Sequence, residues 1–133
     1  MRMPTEPVEP AVPRNFLRPC LLLLLREQPA HGYELLERLP PLGFGRDDPG
    51  GLYRALRALE REGLVHSSWQ PSPEGPDRRI YELTRAGMEV LHGSAKSLAA
   101  GREMLEVFLS RYGEFVSLAG AGDTARQRSP APS

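Results

Sequence analysis

The residues of this chain best suited to chemistry are arginines. Between Asp48 and Val65 the sequence carries Arg54, Arg57 and Arg61, which at about 100° per residue share one side of a helix. Leu52, Leu56 and Leu59 take the opposite side, and Tyr53 lies beside the arginines. The leucine face can anchor the helix in a core. The arginine face can meet anions, because a guanidinium offers a planar fork of donors to phosphate or to the acceptor edge of guanine. A charged face is also what an ordinary solvated helix presents. Two features favour binding: Glu60 and Glu62 stand only at the flanks of the stripe, and a second basic segment, Arg78 and Arg79 after Asp77, follows a turn-rich loop.

These residues need elements to hold them. Asp48 is a fitting N-cap, Pro49 suits the first helical position, and Gly63 suits the left-handed residue after the last turn. Upstream, a first helix is expected from Asn15, as N-cap, to about Glu27. Leu17, Leu21 and Leu24 form its inner side, the run Leu22, Leu23, Leu25 implies burial nearly all round, and Pro19 is tolerable in the first turn. Gln28, Pro29 and Ala30 break it. A second helix runs from His31 or Gly32 to Leu39, with Tyr33, Leu35, Leu36 and Leu39 mostly inward, and ends in the Pro40–Gly45 segment. Leu64–Gln70 reads as a strand, 71–77 as a loop and Arg79–Leu83 as the return strand. Trp69 and Tyr81 are expected to pack this hairpin on the body.

A helix-turn-helix whose second helix is basic, followed by a basic hairpin, is the way winged helix-turn-helix proteins hold DNA. The expected DNA contacts are Tyr33, Gly51, Tyr53, Arg54, Arg57, Arg61, Arg78 and Arg79. Arg54 and Arg57 would enter the major groove, Tyr53 and the helix N-terminus at Gly50 and Gly51 would meet phosphate, and Arg78 and Arg79 would follow the adjacent backbone. Thr84 then caps a long helix reaching about Phe115. Its positions 87, 91, 94, 98, 101, 105, 108, 112 and 115 alternate four and three apart, as in a coiled-coil seam. Leu91, Leu98, Leu105, Phe108, Leu109 and Tyr112 are the expected dimer contacts, and Ser94 and Gly101 leave the middle of the seam under-filled. Packing of this helix on its own domain is the alternative.

The fold class is therefore mainly α with a small β-hairpin: a winged helix-turn-helix with a long C-terminal dimerisation helix. Residues 1–13, with Pro4, Pro7, Pro10 and Pro13, read as a disordered tail. Residues 14–84 read as the DNA-binding domain, 85–117 as the dimerisation helix and 118–133 as a second disordered tail. With 17 basic and 17 acidic residues the chain has no net charge, so DNA affinity must come from local arrangement. Lys96 is the only lysine among the basic residues. One cysteine, Cys20, excludes an internal disulfide and fits a reducing compartment. The run Cys20–Leu25 is far short of the ~20 residues that span a bilayer, and Glu6 and Glu9 argue against a signal peptide. A cytoplasmic protein without membrane contact is expected. His31, His66, His92 and Cys20 lack ligand spacing, so no metal or other cofactor is expected. No catalytic constellation stands out, which argues against an enzyme.

The motifs resemble those of the PadR family of transcriptional regulators, in its short form. The matching residues are His31 to Leu35, Gly51 to Leu56, Leu59 to Val65, Trp69, Gly75 to Tyr81, and Leu83 to Gly87. The motifs come in order, and the resemblance as a whole covers about residues 15–117. Asn15, Phe16 and Leu17, the Asp48, Pro49, Gly50 lead-in and Arg54 are most similar to the poly-β-hydroxybutyrate-responsive repressors of that family. The resemblance implies a homodimeric repressor on a palindromic operator, with DNA binding modulated by a small-molecule effector. Two departures stand out: Gly51 replaces the usual threonine, and Asp77 sets an acid beside the wing arginines. A dimeric winged-helix adaptor that docks on a protein without reading DNA is the competing reading. The expected effector site is Arg14, Arg18, Ser94 and Gly101. Arg14 and Arg18 would place two guanidinium groups one turn apart at a helix N-terminus, a setting for an anion such as cyclic-di-GMP. The same spacing occurs in PilZ-type receptors for that nucleotide, on another fold.

Overall fold

The computed structural model describes residues 11–45 and 48–119. Of the expected disordered tails, 1–13 and 118–133, residues 1–10 and 120–133 lie outside the described residues, and 118–119 belong to the last helix.

Helix α1 spans Leu17–Glu27 and buries Cys20, Leu21, Leu22, Leu24 and Leu25. Asn15 is not its cap. The cap is Phe16, and Asn15 takes a positive φ of 57°, a conformation asparagine tolerates better than most residues. This turn is closed by the Phe16 amide donating to the Pro13 carbonyl at 3.2 Å. Pro19, third in the helix, lacks only an amide that would have no intrahelical partner.

The chain then forms a two-residue strand, β1, Ala30–His31, where the sequence implies only a break through Ala30 and a helix start at His31 or Gly32. Helix α2 follows over Gly32–Arg38, with the Glu34 carboxylate accepting the His31 amide at 2.8 Å. A 3₁₀ turn, Pro40–Leu42, leads on to helix α3, Pro49–Arg61. Its ends are as the sequence implies. Asp48 accepts the Gly51 amide at 2.9 Å, and Gly63 sits at φ 79°. The amides of Gly63 and Leu64 donate to the carbonyls of Glu60 and Leu59 at 3.0 and 2.9 Å, closing the helix with paired C-terminal bonds.

Strands β2, Val65–Gln70, and β3, Arg78–Leu83, form the wing. The sheet has three antiparallel strands in the order β1-β3-β2, with β1 pairing Ala30 to Tyr81 and His31 to Ile80. The hairpin expected from the sequence is thus tied to the body by backbone pairing to β1, a non-local contact. Helix α4 spans Arg85–Ala119, four residues beyond the expected end at Phe115. The Thr84 hydroxyl accepts the Gly87 amide at 3.0 Å and donates to the Gly63 carbonyl at 2.7 Å, joining this helix start to the end of α3.

The chain divides into two compact units, one through Ser94 and one from Ala95. The core of the first is built by α1, α2, α3 and the sheet: Leu21, Leu35, Leu56 and Leu59 are fully buried, with Cys20, Leu22, Leu52, Val65 and Tyr81 around them. Burial raises the Cys20 thiol to a pKa of about 11. Gly87 lies so close to the chain just before β2 that a Cβ there would run into the Leu64 carbonyl. Leu91, expected at the dimer seam, is partly buried against this same core.

Candidate nucleic-acid interface

The amphipathic pattern of α3 becomes a physical division. Leu52, Leu56 and Leu59 are buried, and burying each such side chain is worth about 1.5–3 kcal/mol. Tyr53, Arg54, Arg57 and Arg61 are exposed on the other side. The N-terminus of the helix departs from expectation, because Asp48 takes the Gly51 amide proposed for phosphate. A Cβ at position 51 would collide with that carboxylate in the geometry present.

The two wing arginines part company. Successive residues of a strand face opposite sides of the sheet. Arg79 shares a face with its ladder partner Trp69 and with Ser67 and Tyr81. Its guanidinium lies over the Trp69 ring at 5.2 Å, and its Nε donates to Ser67 Oγ at 2.9 Å. Arg78 turns the other way, donating to the Tyr33 hydroxyl at 2.8 Å and lying 5.4 Å above the Tyr33 ring. Tyr33 stacks on His31 at 5.6 Å. It is 46% exposed rather than inward. Trp69 does not pack the hairpin on the body either: it is 63% exposed. Tyr81 does so instead, and burial pushes its hydroxyl pKa up while Arg79 pulls it down.

An open hollow between α3 and β3 is lined by Tyr53, Arg57, Glu60, Arg61, Arg79 and Tyr81. Three guanidinium groups on one concave surface suit an anion, and Glu60 is the one acid among them. The sequence reading left Glu60 at the flank and passed over Ser67. Strand alternation puts Ser67 on the Trp69 face, whereas its meeting with Glu60 follows from how α3 lies beside the sheet.

The residues expected to bind an effector have a different arrangement. Arg14 precedes α1, and the left-handed Asn15 lies between it and the helix. Arg14 and Arg18 therefore do not lie on successive turns of one helix. Arg18 donates to Glu62 at 2.6 Å, tying α1 to the end of α3, and this hydrogen bond holds the Glu62 carboxyl below the usual carboxylate range. Ser94 is half-buried, and a Cβ at Gly101 would stand in open space.

In the unit from Ala95 the apolar residues are exposed. Leu98 is at the border of exposure, and Leu105, Phe108, Leu109 and Tyr112 are each more than half exposed. Phe115, the last position of the expected seam, is exposed too, and Met104, Val107 and Val116 add exposed apolar surface outside that seam. Among the described residues there is no cluster of three metal-ligating side chains, and no helix long and apolar enough to cross a membrane.

A helix-turn-helix with an exposed arginine stripe, followed by a two-stranded wing, defines a winged-helix protein of the kind that regulates transcription. The profile of the transcriptional regulator PadR-like family matches residues 21–93, more than half of the chain. The chain belongs to that family. It is similar to a PadR family transcriptional regulator from Eggerthella lenta at 30% identity, over 72% of this chain and 83% of that one, with a TM-score of 0.63. A PadR-like transcriptional regulator from Bacillus cereus matches at 28% identity, over 70% and 90%, also with a TM-score of 0.63. A conserved protein described as a potential transcriptional factor matches at 34% identity, over 76% and 90%, with a TM-score of 0.66. No curated protein sequence matches the chain. These likenesses reach the family and do not extend to the poly-β-hydroxybutyrate-responsive subgroup.

Proposed function

We propose that this chain is a homodimeric repressor that binds a palindromic operator through α3 and the wing. The observation that carries the reading is the exposed Arg54, Arg57 and Arg61 stripe opposite a fully buried leucine face, inside the segment that matches the family. Arg54 and Arg57 are assigned to base edges, and Tyr33, Gly51, Tyr53, Arg61, Arg78 and Arg79 to the backbone around them. Residues 14–84 carry recognition and 85–117 carry dimerisation, with Leu98, Leu105, Phe108, Leu109 and Tyr112 at the two-fold interface. Two-fold symmetry then sets half-sites one helical turn apart.

Gel shifts on the chain's own promoter test the assignment. Arg57→Ala is expected to lose about 1–3 kcal/mol if its contact to guanine is bidentate. Wild-type affinity in both Arg54→Ala and Arg57→Ala would overturn it. Asp48 and Glu60, two acids on or beside this surface, favour the competing protein-interaction adaptor. Binding to duplex DNA that ignores salt would support that reading, since phosphate contacts release counterions. An effector that prefers one dimer geometry would modulate affinity. With Arg18 held by Glu62, an anion such as cyclic-di-GMP would have to displace that carboxylate. Calorimetry on wild type and on Arg14→Ala/Arg18→Ala decides whether these arginines take part.

A further inference from the structure

Helix α3 and the wing are joined by a short polar relay. Ser67 Oγ donates to Glu60 Oε2 at 2.7 Å and accepts from Arg79 Nε at 2.9 Å. Arg79 Nη2 stands 3.9 Å from Glu60 Oε1, and the Trp69 ring backs the guanidinium at 5.2 Å. The relay lies at the hollow lined by Arg57, Arg61 and Arg79. A carboxylate on a surface laid out for phosphate is a repulsive element, of the kind that limits unwanted binding. It is not a core residue: the Glu60 side chain is 32% exposed and that of Arg79 is 46% exposed.

We propose that Glu60, acting through Ser67, is a positioning residue that holds Arg79 against Trp69 and matches its charge, lowering affinity for DNA of any sequence. The inference rests on the DNA-binding reading above. Non-specific affinity comes from phosphates neutralised by Arg and Lys, and each phosphate adds about 0.9 to the slope of log affinity against log salt. An arginine already matched by a carboxylate contributes less than that. Arg57 and Arg61, without a hydrogen-bonded acid partner among the described residues, contribute in full. Specific binding, which also draws on Arg54 and Arg57 at base edges, is less affected than non-specific binding.

The test uses the full-length chain and a random-sequence duplex, with affinity measured by fluorescence anisotropy across a salt series. Glu60→Gln keeps the shape and the acceptor for Ser67 while removing the charge. It is expected to bind about 5- to 10-fold more tightly at about 0.1 M salt, with a slope steeper by about one. On an Arg79→Ala background the same substitution is expected to change affinity by less than about two-fold, because the two residues act as a unit. An equal gain on both backgrounds would mean bulk charge repulsion rather than positioning, and would overturn the inference. So would a Glu60→Gln protein that binds as wild type or more weakly. Ser67→Ala breaks the relay without touching α3 and is expected to raise affinity in the same direction; if Glu60→Gln unfolds, this variant decides. Failure of the wild-type chain to bind any duplex at low salt would instead sink the DNA-binding reading itself.

Discussion

The unit through Ser94 and the unit from Ala95 treat apolar side chains in opposite ways. In the first, Leu21, Leu35, Leu56 and Leu59 have no exposed surface. In the second, Met104, Leu105, Phe108 and Phe115 are each exposed by more than 60%. The winged unit closes around its own core. The C-terminal stretch carries an apolar stripe broad enough to be half of a core, and a lone helix draws little stability from propensity without tertiary packing. Burial thus separates the residues that make the fold from those left on the surface, where the proposed dimer contacts fall; contiguous exposed apolar surface is the usual mark of an interaction site.

The sharpest way to break this contrast is at Phe108. Phe108→Glu would place a charge against apolar neighbours in the proposed interface, and complete loss of the dimer is expected by light scattering at micromolar concentration. A monomeric wild-type chain would remove the contrast altogether. In the other unit, Leu56→Ala should lower unfolding free energy by about 2–5 kcal/mol, read from denaturant titration. A loss far below that range would mean the winged core is not self-sufficient.

Smaller effects sharpen the comparison within the winged unit. With its pKa raised to about 11, the Cys20 thiol should resist alkylation at about pH 8 until the chain unfolds, since the thiolate is the reactive form. Rapid labelling of the native protein would contradict its burial. Smallest of all is the Arg18–Glu62 bridge, which is exposed. The Glu62 carboxyl is depressed in the folded state. Its contribution is therefore present above the unfolded carboxylate value and lost as pH falls through the folded one. Thermal melts should show a slight deficit for Arg18→Ala at neutral pH that vanishes in acid; a deficit that persists in acid would mean Arg18 acts by packing.

Much of this is legible in the sequence, for local reasons. Asp48, Pro49 and Gly63 set the bounds of α3 through capping chemistry that lies within a few residues, and Thr84 did the same for α4. The buried face of α3 followed from leucine spacing alone. What escaped was non-local. Strand β1 is two residues long and exists because Ala30 and His31 pair with β3 some fifty positions away, which no local pattern encodes. Trp69 is expected to pack the hairpin on the body, but at the wing it meets the Arg79 guanidinium instead. Alternation along β3 could have shown that Arg78 and Arg79 face opposite sides. That Glu60 meets Ser67 depends on how α3 lies beside the sheet. Arg14 and Arg18 looked like a pair only on the assumption that the helix began at Asn15.

The most direct measurement combines stoichiometry with salt dependence: the full chain titrated into a labelled fragment of its own promoter at several ionic strengths. Two copies per operator are expected, with log affinity falling linearly and steeply with log salt because arginines displace counterions from phosphate. One copy per duplex, or an affinity indifferent to salt, would contradict a reader of DNA completed by a second copy of itself.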